Sequence, residues 1–167
     1  MIVGWTGHRP DVFQRPELAQ REVGRAADAL LEGTPELEFV SGGQRGVDLW
    51  AADAARARGI PFHLVLPVPP RSLTRHWAPE ERQALDDGVS HAASVAIIDA
   101  DETEGPLAYD RRNEAIVRRS DRIVAVWTGV RQGGTFYTLS AARARGVAVE
   151  ERRLAPAAMI RTAGRGL

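Results

Sequence analysis

Four loops of the chain carry most of the residue types that could hold a ligand. Glycine lets the main chain approach a ligand closely, and a helix beginning just after such a loop points free N–H groups and its positive dipole end at it. A phosphate group suits this geometry. The candidate ligand-binding residues are Gly7, His8, Arg9, Ser41, Gly42, Gly43, Arg45, Gly46, Asp48, Arg112, Asn113, Gly133, Gly134 and Thr135.

The polar side chains in these loops allow more than one role each. Arg9 and Arg45 are expected to contact a ligand, because a guanidinium binds phosphate bidentately. Asp48 lies at a helix start, so it either caps the helix or takes a ribose-hydroxyl or catalytic role, and both stay open. Ser41 and Thr135 can likewise cap helices without any ligand.

A catalytic assignment is weaker than a binding assignment, and whether the chain is an enzyme stays open. Asp48 and Arg112 are the only candidate catalytic residues that the loops offer. Arg112 and Asn113 open a helix together, where a surface pair and a pair of ligand contacts are both reasonable. His8 is the one histidine that falls in a candidate site.

Composition excludes several kinds of chemistry. The chain has no cysteine, and all 22 of its basic residues are arginine. The sequence therefore excludes thiolate metal sites and cysteine nucleophiles, and it excludes lysine Schiff bases and a P-loop lysine. The four histidines lack metal-ligand spacing, so no metal site is predicted. The net charge of zero disfavours nucleic-acid binding through bulk charge.

The elements that must position these loops alternate between strand and helix. Short apolar runs rich in Val, Ile and Phe predict strands covered on both faces. Strict alternation predicts an α/β fold of three layers, Rossmann-like, with a mostly parallel sheet of five or more strands and helices on both faces. The predicted strands are 2–6, 37–41, 62–66, 94–98 and 122–127, with a short sixth at 147–149.

Helical spacing of apolar residues predicts the remaining elements. It covers residues 16–33, 47–59 and 79–85. Asp110 and Thr135 are predicted to cap the last two helices. The proline-rich stretch 67–77 is predicted to be an ordered loop in which Trp77 is placed to stack on a base.

Chain length and patterning bound the organisation. Residues 1–150 are predicted to form a single domain, followed by a C-terminal tail at 151–167. No apolar run approaches the roughly eighteen residues that span a bilayer. The first ten residues lack a basic flank followed by an apolar stretch, so no signal peptide is expected. A cytoplasmic protein without a membrane partner is the expectation.

Four motifs in fixed order resemble those of the SLOG superfamily, the SMF/DprA–LOG group of Rossmann-like proteins, and most of all its YpsA-like branch. They are TGHRP at 6–10, SGGQRGVDLWAADAARARGIP at 41–61, RRNEAIVRRSDRIVAVWTG at 111–129 and GGTFYTLSAARARGV at 133–147. The resemblance implies a Rossmann-like sheet, a site for a nucleotide or nucleotide derivative, and a homodimer. By matching motif, it implies ligand contacts from Gly7, Arg9, Ser41, Gly42, Gly43, Gly46, Asp48, Arg112, Asn113, Gly133, Gly134 and Thr135.

The branches of this superfamily frame three functional hypotheses. The first is a nucleotide-binding protein that serves as a ligand sensor, with no certain cofactor. The second is a LOG-type hydrolase of the N-glycosidic bond of nucleoside monophosphates, although Thr138 stands where the LOG signature has its catalytic Glu. The third is a DprA-like scaffold for single-stranded nucleic acid, which the balanced charge disfavours.

Overall fold

Six strands alternate with six helices along residues 1–158, which are the residues that the computed structural model describes. The strands are β1 (Ile2–Gly7), β2 (Glu38–Ser41), β3 (Phe62–Leu66), β4 (Ser94–Ile97), β5 (Arg122–Trp127) and β6 (Ala148–Arg153). The helices are α1 (Pro16–Gly33), α2 (Val47–Ala57), α3 (Pro70–Leu73), α4 (Pro79–His91), α5 (Leu107–Arg119) and α6 (Gly133–Ala144). A single 3₁₀ turn, Pro10–Val12, follows β1.

The strands form one parallel sheet in the order β4-β3-β2-β1-β5-β6. One hydrophobic cluster lies beneath α1, α2 and α4, and a second lies beneath α5 and α6. Helices connect successive strands as crossovers, and their apolar faces pack on both sides of the sheet. The predicted three-layer α/β fold is confirmed.

The winding direction of the chain reverses at β1. Its residues pair with β2 on one side and with β5 on the other, with Thr6 opposite Ala125 and Gly7 opposite Val126. In parallel sheets a crevice opens at such a point, beyond the carboxyl ends of the strands. Gly7 stands at this exit because a Cβ there would overlap Val126 O and the Val47 side chain.

The prediction that every strand is covered on both faces is wrong for β4. All four of its residues are exposed, including Val95 and Ile97 at 38% each. The reason is the path of the next helix, because α5 crosses back to pack on β1, β2 and β3. The outer edge of β4 is consequently left without a covering layer.

Several predicted helix boundaries are also corrected. Asp110 and Thr135 lie inside their helices, because α5 begins at Leu107 and α6 begins at Gly133. Helix α4 extends to His91, beyond the predicted end at Leu85. The stretch 67–77 contains the short helix α3 rather than only a loop.

The last strand is longer than the sequence pattern indicates. The pattern predicts it at 147–149, whereas it runs from Ala148 to Arg153 and pairs in parallel with β5 along its whole length. Beyond it, Pro156 forms an antiparallel bridge with Phe13. Residues 159–167 of the predicted tail lie outside the described residues. Within the described part of the chain, no helix combines the length and apolar character needed to cross a membrane.

Candidate functional site

A cavity of about 390 Å³ opens at the reversal point, between the loops that leave β1, β2 and β5 and the start of α5. Its size lies within the range of roughly 300–1,000 Å³ typical of small-molecule sites. Nine of the fourteen predicted site residues are on its wall: Gly7, His8, Arg9, Asp48, Arg112, Asn113, Gly133, Gly134 and Thr135. The fold therefore brings residues from four distant segments to one place, although Arg112 and Asn113 lie inside α5 and do not open it as expected.

The first turn of α6 forms one side of the cavity. Gly133, Gly134 and Thr135 occupy it, and the residue before them, Gln132, makes no capping hydrogen bond with its side chain. The first N–H groups of a helix have no partner within the helix. This turn therefore presents main-chain donors and the positive end of a twelve-residue helix to the cavity.

The glycine-rich loop before α2 supports the site from below. The five predicted site residues that are not on the cavity wall all belong to this part of the chain: Ser41, Gly42, Gly43, Arg45 and Gly46. The hydroxyl of Ser41 donates to Asp48 O at 3.0 Å, which ties the end of β2 to the start of α2. Gly46 has a φ of 91°, and a Cβ there would lie 2.5 Å from His8 O. The loop thus packs tightly against the β1 loop.

A buried ion pair joins this loop to α5. Arg112 Nη1 donates to Gly42 O at 2.5 Å and lies 3.8 Å from Asp48 Oδ2, while Asp48 accepts the Gln44 N–H at 3.2 Å. Burial raises the pKa of Asp48, and the Arg112 charge opposes that rise. Burial likewise lowers the pKa of Arg112. In both groups burial acts against the charged form, and the opposite charge of the partner favours it.

Arg112 also holds the side chain of its neighbour. Its Nε–H donates to Asn113 Oδ1 at 2.8 Å. Because a guanidinium nitrogen only donates, the amide atom facing it must be the oxygen, and the amide nitrogen faces away. A Cβ on Gly134 would lie 3.6 Å from that Nδ2, which places the amide nitrogen beside the first turn of α6.

His8 is also on the cavity wall, as a half-buried imidazole. Its Nε2 is 3.2 Å from the hydroxyl of Thr128, and its ring packs against Phe13. Burial lowers the pKa of His8 below its ordinary value, and the neighbouring Arg9 charge lowers it further. The imidazole is therefore neutral at neutral pH, and it offers the cavity a hydrogen bond rather than a charge.

The lowered pKa of His8 makes stability depend on pH. Between the ordinary histidine pKa of about 6.5 and the lower folded value, the unfolded chain binds a proton that the folded chain does not. The free energy of unfolding should therefore fall as pH decreases through this window. His8→Gln should flatten that dependence when urea unfolding is measured from about pH 7.5 downwards. Equal slopes for the two proteins would contradict the assignment.

The two arginines expected at the ligand differ in position. Arg9 is exposed on the cavity wall. Arg45 turns away and pairs with Glu81 at 3.3 Å and with Asp11 at 3.7 Å. Trp77, expected near a base, instead packs against the core under α4 and is not part of the wall.

Other wall residues were not selected from the sequence. Tyr109 is 36% exposed, and the Arg112 guanidinium lies 5.9 Å from its ring centre. It precedes Asn113 by one helical turn, so helical spacing was the signal that could have found it. The others are Trp5, Thr6, Val12, Gln44, Asp110, Ile116, Gln132 and Thr138. Across residues 1–158, no group of three or more acidic, His or Cys residues is arranged to hold a metal ion.

Solved structures share the fold of this chain. DprA from Helicobacter pylori, whose structure is described for its single-stranded DNA binding mode, matches 94% of this chain and 68% of its own at TM-score 0.68 and 16% identity. DprA from Streptococcus pneumoniae matches with TM-score 0.65 and 18% identity. The match covers 89% of this chain but only about half, 49%, of that protein. The protein TM1055 matches at TM-score 0.58 and 17% identity, over 89% of this chain and 71% of its own.

Sequence relatives cover nearly the whole chain. UPF0398 proteins of Bacillus anthracis and Bacillus thuringiensis are 24% identical over 155 residues, which is 87% of this chain and 84% of theirs. The model of the YspA SLOG family matches residues 21–153. That span includes the α2 loop, the Arg112–Asn113 pair and the first turn of α6. The predicted relationship is confirmed, and the chain belongs to the YspA SLOG family.

Proposed function

We propose that the chain binds a nucleotide or nucleotide derivative in this cavity, with its phosphate at the first turn of α6, and acts as a ligand sensor. The observation that carries the proposal is the uncapped start of α6, which opens into a cavity at the reversal point of a parallel sheet. Main-chain N–H groups and the helix dipole favour an anion there.

The remainder of the wall suits the rest of a nucleotide. Tyr109 offers a partly exposed aromatic ring for a base, and Arg9 offers a cation at the rim. Asp110 and Gln132 add polar groups that can meet sugar hydroxyls. The wall therefore combines an anion-binding helix start with an aromatic ring and polar groups, as a nucleotide requires.

A thermal-unfolding panel tests this proposal. AMP and ADP-ribose should raise the melting temperature in a concentration-dependent way, because a ligand that binds only the folded state stabilises it. Adenosine, which lacks the phosphate, should give a much smaller rise. No rise with any phosphorylated member of the panel at millimolar concentration would contradict the proposal.

The hydrolase alternative needs a carboxylate beside the scissile bond. Thr138 occupies the place that the superfamily resemblance gives to that group, and its hydroxyl donates to Gly134 O at 2.9 Å. The two candidate catalytic residues, Asp48 and Arg112, are engaged with the α2 loop and Asn113. We therefore favour binding over hydrolysis. Release of free base from AMP, abolished by Asp48→Asn, would reverse this preference.

A second candidate function, single-stranded nucleic-acid binding, is favoured by a separate cavity. Arg71, Arg75 and Arg82 line it together with Ser72 and Glu102, beyond the carboxyl ends of β3 and β4. Exposed arginines in a groove suit a phosphate backbone. A gel shift with a single-stranded oligonucleotide that Arg71→Ala/Arg75→Ala weakens would support this function. Absence of any shift at low salt would exclude it.

Two further parts of the proposal concern the cellular state of the protein. We propose a homodimer, which the superfamily resemblance implies, and a cytoplasmic location. Sedimentation equilibrium with and without AMP measures the first, and fractionation of the source cells measures the second. A monomer at micromolar concentration in both conditions would remove the dimer without affecting the ligand site.

A further inference from the structure

Of the three arginines expected or available near the phosphate, two are engaged by protein groups. Arg45 pairs with Asp11 and Glu81 outside the cavity, and Arg9 is exposed on its wall. The Arg112 guanidinium is engaged by Gly42 O, Asp48 and Asn113. Apart from Arg9, the donors available to an anion at the first turn of α6 are therefore neutral.

Asn113 is the side chain placed to supply one. It is only 7% exposed, it is on the cavity wall, and among residues 1–158 its side chain makes a hydrogen bond only through Oδ1, which accepts from Arg112. An amide N–H₂ that faces a cavity without a protein acceptor is free to donate to a ligand or water there. The neighbouring Gly134 leaves the space beside Nδ2 open.

The orientation of this amide is not free. The Arg112 Nε–H takes the amide oxygen, so Nδ2 is directed toward α6 before any ligand arrives. Arg112 is itself fixed by Gly42 O at 2.5 Å and by the Tyr109 ring. A donor held in advance by its neighbours loses less freedom when it binds.

We infer that Asn113 Nδ2 donates to the bound phosphate and that Arg112 is a positioning residue that orients this amide without touching the ligand. This inference rests on the proposed function and adds its recognition chemistry, a tetrahedral oxyanion held by neutral N–H donors. It divides the roles of two neighbours that the sequence alone marked equally as contacts.

Titration of the protein with inorganic phosphate, followed by ¹H–¹⁵N spectra, tests the donor. The wild-type chain should show a saturable shift of the Asn113 side-chain amide. Asn113→Ala should weaken phosphate binding about tenfold, the usual loss for a hydrogen bond to a charged group. Asn113→Asp keeps the oxygen that Arg112 needs, so it should stay folded and yet weaken binding further, because a carboxylate repels the anion.

A double-mutant cycle tests the positioning role. Arg112→Lys removes the Nε–H, so it should weaken phosphate binding several-fold in the wild-type chain and less than about twofold in the Asn113→Ala background. Equal losses in both backgrounds would overturn the positioning role, since a purely structural arginine acts regardless of residue 113. Wild-type affinity in Asn113→Ala would overturn the donor. No phosphate binding by the wild-type chain, together with a silent nucleotide panel, would instead remove the proposed function.

Discussion

Asp48→Ala should lower the free energy of unfolding by about 3–5 kcal/mol, because it leaves the Arg112 guanidinium buried without a counter-charge. The Arg112 side chain is 8% exposed, so solvent cannot replace the lost carboxylate. The substitution also removes the acceptor of the Gln44 N–H, which shapes the loop before α2. Urea unfolding at neutral pH measures the loss.

Asp53→Ala is the matched control for this substitution. Asp53 lies on the same helix, α2, and pairs with Arg56 at 3.7 Å, but both side chains are 45% exposed. An exposed pair of this kind contributes less than about 1 kcal/mol. If the two substitutions cost the same, the buried pair does not have the structural role assigned to it here.

Gly134→Ala should change stability and ligand binding in opposite directions. Gly134 lies in the first turn of α6 without a left-handed φ, and its added Cβ would meet its nearest neighbour, Asn113 Nδ2, at 3.6 Å. Alanine fits there and favours the helix, so the free energy of unfolding should rise by up to about 1 kcal/mol. The same methyl group covers the amide that faces the phosphate, so AMP affinity should fall about tenfold or more.

Gly88→Ala on α4 is the matched control for Gly134→Ala. Its added Cβ would also have its nearest neighbour at 3.6 Å, the Leu64 side chain, and Gly88 is not part of the cavity wall. Stability should rise in both variants, and AMP affinity should fall only in Gly134→Ala. Unchanged AMP affinity in Gly134→Ala, measured by calorimetry, would mean that the phosphate is bound elsewhere.

The fold could be predicted from the sequence because the apolar runs of the strands and the helical spacing of apolar residues are both distinct. Strands 62–66 and 122–127 have the predicted bounds, since each is a short apolar run between polar turns. The exposure of β4 was not readable, because its residues look as apolar as those of a central strand. The strand order places β4 at the edge of the sheet, and α5 packs on β1 to β3 rather than over it.

The sequence predicted which loops form the site but not what each side chain does there. Glycines and polar residues after strands marked the edge where the cavity lies, which follows from parallel topology. The direction of each side chain depends on distant partners that no local pattern shows. Arg45 donates a hydrogen bond to Glu81, and Arg112 donates one to Gly42 O, which is seventy positions away in the sequence. Tyr109 was missed because a lone tyrosine gives no signal until its helix is placed.

A crystal structure of the protein with AMP at saturating concentration tests the central claim most directly. The phosphate should lie within hydrogen-bond distance of the main-chain N–H groups of Gly134 and Thr135 and of Asn113 Nδ2. Density for AMP in the groove of Arg71, Arg75 and Arg82, with water alone at the start of α6, would contradict the account.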